Sequence, residues 1–428
     1  MRQYVPEEES LERPALERLQ RRKLTALMEA VRAGNAFYRR KLADVEFDAR
    51  HDPIAKLPFT TRPEIEHDQT ANPPFGGNLT HPLESYCRYH QTSGTSGRPM
   101  CWLDTAENWV WWKRCWGILY RAAGVTPEDR FGFPASFGPF IGFWGAFESA
   151  VELGNLSLPA GGMTTSARLR YFLDNSVTFV CCTPTYALRM AEVAAAEGID
   201  LASSSVRGLI VAGEPGGSIP ATRRRLESAW GARVFDHAGM TEVGPWGFEC
   251  VERPGGMHIM ESEFIAEIIQ PDTLEPVEPG GSGELVLTNL GRIGSPLIRY
   301  RTGDQVQVSY EPCACGRRFA WIEGGVLGRL DDMLIIRGNN VFPSAIEGIL
   351  RELSAVAEFR IEVDSSGVMA GLRIEIEPTS GANTTGLAGQ VADAVRDRLH
   401  FKPEVVLVES GALPRFELKA RRVVRRGG

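Results

Sequence analysis

FVCCTPTYALRMAEVAAAEGIDLASSSVRGLIVAG, residues 179–213, sets two short apolar runs, FVCCT (179–183) and GLIVAG (208–213), on either side of a stretch with helical patterning. Apolar runs of this length suit strands covered on both faces, and their alternation with helices from about 105 to 330 predicts an α/β sheet. Between 262 and 323 the pattern turns strand-like, in EFIAEII, GELVLTN, QVQVSY and RFAWIEG, with Gly, Pro and Asp between the runs. That predicts an antiparallel β unit. After Gly328 come GRLDDMLIIRG, a helix over SAIEGILREL, strands EFRIEV and GLRIEIE, a helix from about 386 to 399 and a strand EVVLV. The expected division is a large N-terminal domain, 1–328, and a small mobile C-terminal αβ domain, 329–428. Upstream, residues 11–45 read as helices, with Leu16, Leu19, Leu24, Leu27, Met28 and Val31 at helical spacing.

A chain of 428 residues exceeds one ordinary core, which agrees with two domains. Charged residues at 24% and a hydrophobic set at 43% exclude both a disordered chain and a membrane-embedded one. A net charge of -7 with scattered basic residues offers no field for nucleic acid or an anionic membrane, so neither is expected as a partner. The start, MRQYVPEEESLERPALERLQRRK, lacks the apolar centre of a signal peptide, and the expected location is cytoplasmic. Trp109, Trp112 and Trp116 recur at i, i+3 and i+7, on one face of a helix, and read as core.

Chemistry enters at Thr92-Ser93-Gly94-Thr95-Ser96-Gly97-Arg98-Pro99. Its glycines permit tight backbone turns, its N–H groups can form an anion nest, and its hydroxyls add neutral donors, so the loop suits phosphate oxygens. Alone, such a loop is more often a surface turn, and without a lysine after the last glycine it is not a Walker A loop. Four further segments follow in order: AGMTEVGP (238–245), PLIRYRTGD (296–304), GRLDDMLIIRGNNVFPSAIE (328–347) and a late Lys419. Together the five resemble the adenylate-forming acyl-activating superfamily along its whole length, and within it the phenylacetate-CoA ligase branch.

The resemblance implies ATP and coenzyme A as co-substrates and Mg2+ as the metal. It places the 92–97 loop on the phosphates, Thr241 near the α-phosphate and Glu242 on Mg2+, a hard cation that prefers oxygen ligands. Gly213, Glu214 and Pro215 would line the adenine, with Asp236, His237 and Ala238 approaching from the next strand; Asp236 is a candidate for the adenine amino group and equally a turn cap. Asp304 would accept hydrogen bonds from both ribose hydroxyls. Arg329 would lie beside ribose and phosphates. Lys419 would reach the site only with the small domain rotated inward, to stabilise charge in the attack on the α-phosphate. Asp331 would be the hinge. Arg98 departs from the lysine common in relatives.

FGFPASFGPFIGFW (131–144) interleaves aromatics with glycines and could line a flat apolar slot, with Phe137 and Phe140 as walls for an aromatic or aryl-acetic acid, or it could simply pack the core. The eight cysteines read as mostly reduced. Cys250, His258, Cys313 and Cys315 could complete a tetrahedral structural Zn2+ site, although the spacing matches no common finger. The expected reaction is ATP-dependent formation of an acyl-adenylate from a carboxylic acid, then acyl transfer to coenzyme A. Two rivals share the same motifs: transfer to a carrier-protein thiol or an amine, and a catalytically silent nucleotide- and acyl-binding protein. The resemblance also allows a homodimer.

Overall fold

A computed structural model describes residues 6–92, 99–278, 280–336, 339–364, 371–417 and 419–426. The apolar runs FVCCT and GLIVAG form the strands Phe179–Cys182 and Gly208–Ala212, paired in parallel. Both are enclosed because helices cover both faces of the sheet at this point. Gly208–Ala212 pairs in parallel with Arg233–Met240, and Phe179–Cys182 with Arg130–Phe133, which in turn pairs with Leu156–Pro159.

At Arg233–Met240 the sheet changes sense. Its next neighbour, Gly244–Phe248, is antiparallel, and pairing continues antiparallel to the edge strand Phe264–Ile269. The expected antiparallel unit is therefore the continuation of one twelve-stranded sheet. The helix Ala106–Ala122 packs on it with Trp109, Trp112 and Trp116 all buried, as core. Two N-terminal helices, Arg13–Gly34 and Ala36–Lys41, form where helices are expected and join the main core through Leu16, Leu27 and Val31.

The small C-terminal unit is a four-stranded sheet in the order Glu404–Leu407, Gly371–Pro378, Val356–Asp364, Val423–Arg426, with helices Pro343–Glu352 and Leu387–Leu399. It has its own core of Ile346, Leu350, Val356, Ile361, Ile374, Ile376 and Val391. Val423–Arg426 is the parallel partner of Val356–Asp364, so Lys419 lies just ahead of a strand. Among the described residues no helix is long and apolar enough to cross a membrane, and all eight cysteines are free thiols.

Candidate active site and a Cys3His cluster

The candidate residues collect beyond the carboxyl ends of the parallel strands, beside Arg233–Met240, where pairing changes from parallel to antiparallel. Ser93, Gly94, Thr95, Ser96, Gly97 and Arg98 lie outside the described residues. Their frame does not: Tyr86–Gln91 and Cys101–Thr105 form an antiparallel hairpin around them. Thr92 N donates to Met100 O, and Thr92 Oγ1 accepts from Met100 N, both at 3.0 Å, closing the base of the loop.

Thr241 and Glu242 form the turn between Arg233–Met240 and Gly244–Phe248. Glu242 is buried, with a 3.4 Å contact from the Tyr300 hydroxyl to Oε1, so its carboxylate retains capacity for a hard cation. The turn is held from below by Arg292, whose Nη1 donates to Thr241 O at 2.6 Å and Glu242 O at 3.1 Å. The other side of the guanidinium is bidentate to Asp104, at 2.7 and 2.6 Å, and both residues are wholly buried. Asp104 lies on the second strand of that hairpin, so one buried ion pair ties the hairpin to the Thr241–Glu242 turn. Sequence reasoning missed this pair because no local pattern links residues 188 apart.

Asp304 sits in Tyr300–Ser309 directly opposite Arg329 in a two-residue antiparallel pairing. Arg329 Nη1 donates to Asp304 Oδ1 at 3.2 Å, while Nε and Nη2 grip Asp331 at 3.0 and 3.2 Å. Burial pushes the Asp304 carboxyl up to about 7, against the pull of Arg329 and Lys419. Asp331 lies in the single turn Leu330–Asp332 between the two domains.

Gly213 takes φ +94°, a conformation for glycine, and a Cβ there would stand 3.4 Å from Lys419 Cε. Lys419 thus lies beside the 213–215 loop. The Glu214 carboxylate is spent on protein: Oε1 accepts from Thr185 N at 2.9 Å and Oε2 from Ala420 N at 2.6 Å. Asp236, on Arg233–Met240 like His237 and Ala238, accepts from Ser218 Oγ at 2.5 Å and from His237 N at 3.1 Å, and burial raises its carboxyl. His237 is buried against Trp116 and donates Nδ1–H to Gly247 O at 2.6 Å; burial lowers it to about 4, so it is neutral at pH 7. Phe137 and Phe140 are half-buried, and Phe137 packs on Trp144 and Phe147, with ring centroids 4.9 and 5.3 Å apart.

The second cluster stands apart from the first. Cys250, His258, Cys313 and Cys315 are buried, and their ligand atoms all lie within 4.8 Å of one another. Cys250 Sγ is 3.7 Å from Cys313 Sγ, and Cys315 Sγ is 3.6 Å from His258 Nε2. Zn–S bonds of about 2.3 Å and Zn–N bonds of about 2.0 Å give tetrahedral edges of roughly 3.8 and 3.5 Å, so the donor set fits zinc. His258 Nδ1 lies 3.3 Å from Phe319 O, an outer contact that leaves Nε2 free to ligate.

Comparison with known proteins agrees with this geometry. Residues 43–291 match the family described as AMP-binding enzyme, and residues 338–426 match the AMP-binding enzyme C-terminal domain. The chain is 31% identical over 447 residues to a phenylacetate-coenzyme A ligase of Thermus thermophilus, covering 98% of this chain and 99% of that one. With a phenylacetate-coenzyme A ligase of Escherichia coli it shares 31% over 422 residues, covering 95% and 94%. Among solved structures, 2-hydroxyisobutyryl-CoA ligase in its postadenylation state with 2-HIB-AMP superimposes at TM-score 0.94 with 26% identity, covering 100% of this chain and 93% of that one. The same ligase with CoA in its thioesterification state gives TM-score 0.75 at 28% identity, covering 99% and 92%. By its matched domains, its length-spanning relatives and a site assembled where the sheet changes sense, the chain belongs to the AMP-binding enzyme family.

Proposed function

We propose that the protein is an AMP-forming acid–thiol ligase. A carboxylate oxygen of the acid attacks the α-phosphorus of ATP and the bond to pyrophosphate breaks, leaving an acyl-adenylate. The thiolate of coenzyme A then attacks the acyl carbon, and the bond to AMP breaks. The observation that supports this best is the position of Lys419, which the docked small domain sets beside Gly213 and close enough to Asp304 to act on its charge.

The residues divide the chemistry among them. Asp304 accepts from the ribose hydroxyls, with Arg329 beside it as a fixed cation. The 92–97 loop, Thr241 and Lys419 surround the phosphates, where positive charge and donors stabilise the developing negative charge. Glu242 would hold Mg2+, which when bound neutralises phosphate charge. Gly213, Pro215, Asp236, His237 and Ala238 border the adenine by backbone and packing. Phe137 and Phe140 wall an apolar slot suited to an aromatic acid. Residues 1–328 and 329–428 act as two bodies turning about Asp331. Cys250, His258, Cys313 and Cys315 bind a structural Zn2+, since four protein ligands leave no open position.

Acid-dependent pyrophosphate release from MgATP, across aryl, aryl-acetic and short aliphatic acids, tests the first half; adding CoA tests the second. Lys419→Ala should cut pyrophosphate release far more than thioester formation from supplied acyl-adenylate. Pyrophosphate silence with every acid, or equal loss in both halves, would overturn the proposal.

A further inference from the structure

Lys419 itself makes no hydrogen bond or ion pair among the described residues; its neighbours are what hold it. Glu417 Oε2 accepts from Arg168 Nη1 at 3.0 Å. Ala420 N donates to Glu214 Oε2 at 2.6 Å, and Arg422 Nη1 donates to Thr185 Oγ1 at 3.2 Å. The partners come from three separate stretches of the large domain, yet they meet at the first turn of the helix Pro184–Ala196. Glu214 Oε1 accepts from Thr185 N at 2.9 Å. Arg168 is bonded to the Tyr186 hydroxyl, lies over its ring at 5.3 Å, and donates Nε–H to Ala160 O at 2.9 Å. Arg168 and Thr185 are both buried, so this platform is part of the rigid large domain.

We infer that Arg168, Thr185 and Glu214 form a docking platform that positions Lys419 for adenylation, one that rests on the assignment of Lys419 to that half-reaction. Contacts at residues 417, 420 and 422 bracket the lysine on both sides. Every one of them spans the two domains, so rotating the small domain breaks all three together. The platform therefore acts in the first half-reaction and is idle in the second. Arg168 and Thr185 are positioning residues that act through Glu417 and Arg422.

The side chain of Glu417 is largely exposed, so Glu417→Gln leaves folding undisturbed. We expect it to slow acid-dependent pyrophosphate release about fivefold, the loss of one partly exposed charged contact. Adding Thr185→Val, which removes the acceptor for Arg422 and keeps the backbone, should bring the loss to about tenfold or more. Thioester formation from supplied acyl-adenylate and CoA should stay within about twofold of the parent in both variants. Equal slowing of both halves would mean a merely structural role and overturn the inference. So would unchanged adenylation in the double variant while Lys419→Ala still loses it, an outcome that leaves the proposed function standing. If Lys419→Ala loses neither half, the assignment of Lys419 and the platform fall together.

Discussion

Asp304 couples the site to pH. Its carboxyl is raised from 3.8 to about 7 by burial, so between those values the folded chain holds a proton that the unfolded chain has lost. Stability from this group is therefore present at low pH and declines as pH rises through that window, with the full cost of a buried charge above about 7. Ribose hydroxyls donate hydrogen bonds and favour the ionised form. The KM for ATP should accordingly rise as pH falls below about 7, by up to about tenfold per unit, and Asp304→Asn should flatten that profile while raising KM throughout. The cysteine cluster gives a second test. Purified protein should carry about one zinc per chain by elemental analysis, and Cys313→Ser should lose the metal and lower the melting temperature without selectively removing either half-reaction.

The hairpin of Tyr86–Gln91 and Cys101–Thr105 shows how an element far from the Thr241–Glu242 turn sets its height. Asp104 points from the hairpin to Arg292, and Arg292 holds the carbonyls of Thr241 and Glu242. Breaking one side of a fully buried ion pair strands the other charge, which costs about 3–5 kcal/mol. Asp104→Asn should lower unfolding free energy by that order in urea melts, and in the surviving folded protein it should raise the Mg2+ concentration needed for half-maximal pyrophosphate release. The helix Ala106–Ala122 contributes differently, since its tryptophans fill the core beside the sheet, as their spacing predicts.

The two units meet through polar contacts, including Arg225 to the carbonyls of Leu353 and Val356 at 2.7 and 3.0 Å, the kind of interface that the proposed rotation needs. The Arg329–Asp331 pair sits at the junction, with Nε 3.0 Å from Oδ1. Proline locks φ near −65°, so Asp331→Pro should hinder rotation about this residue. Adenylation measured by pyrophosphate release should persist, while CoA-dependent thioester formation should fall at least about tenfold; equal retention of both would remove Asp331 as the hinge.

The α/β class and the division into a large and a small part were legible in the residues, and five candidate segments could be picked out, because short-range apolar periodicity and local motifs are properties of neighbouring positions. Asp304 and Arg329 stood out in that way, and they lie face to face. The tertiary structure decided what depends on residues distant in the chain: that the 262–323 strands extend the parallel sheet, that Asp104 pairs with Arg292 across 188 positions, and that Glu214 turns its carboxylate to Ala420 rather than leaving it to a nucleotide. The cysteine and histidine positions suggested a cluster, but only folding could bring 250, 258, 313 and 315 within 4.8 Å. The motif resemblance singled out Lys419, but only the pairing of Val423–Arg426 with Val356–Asp364 shows where the segment carrying it runs, since a strand's partner lies far away in the chain.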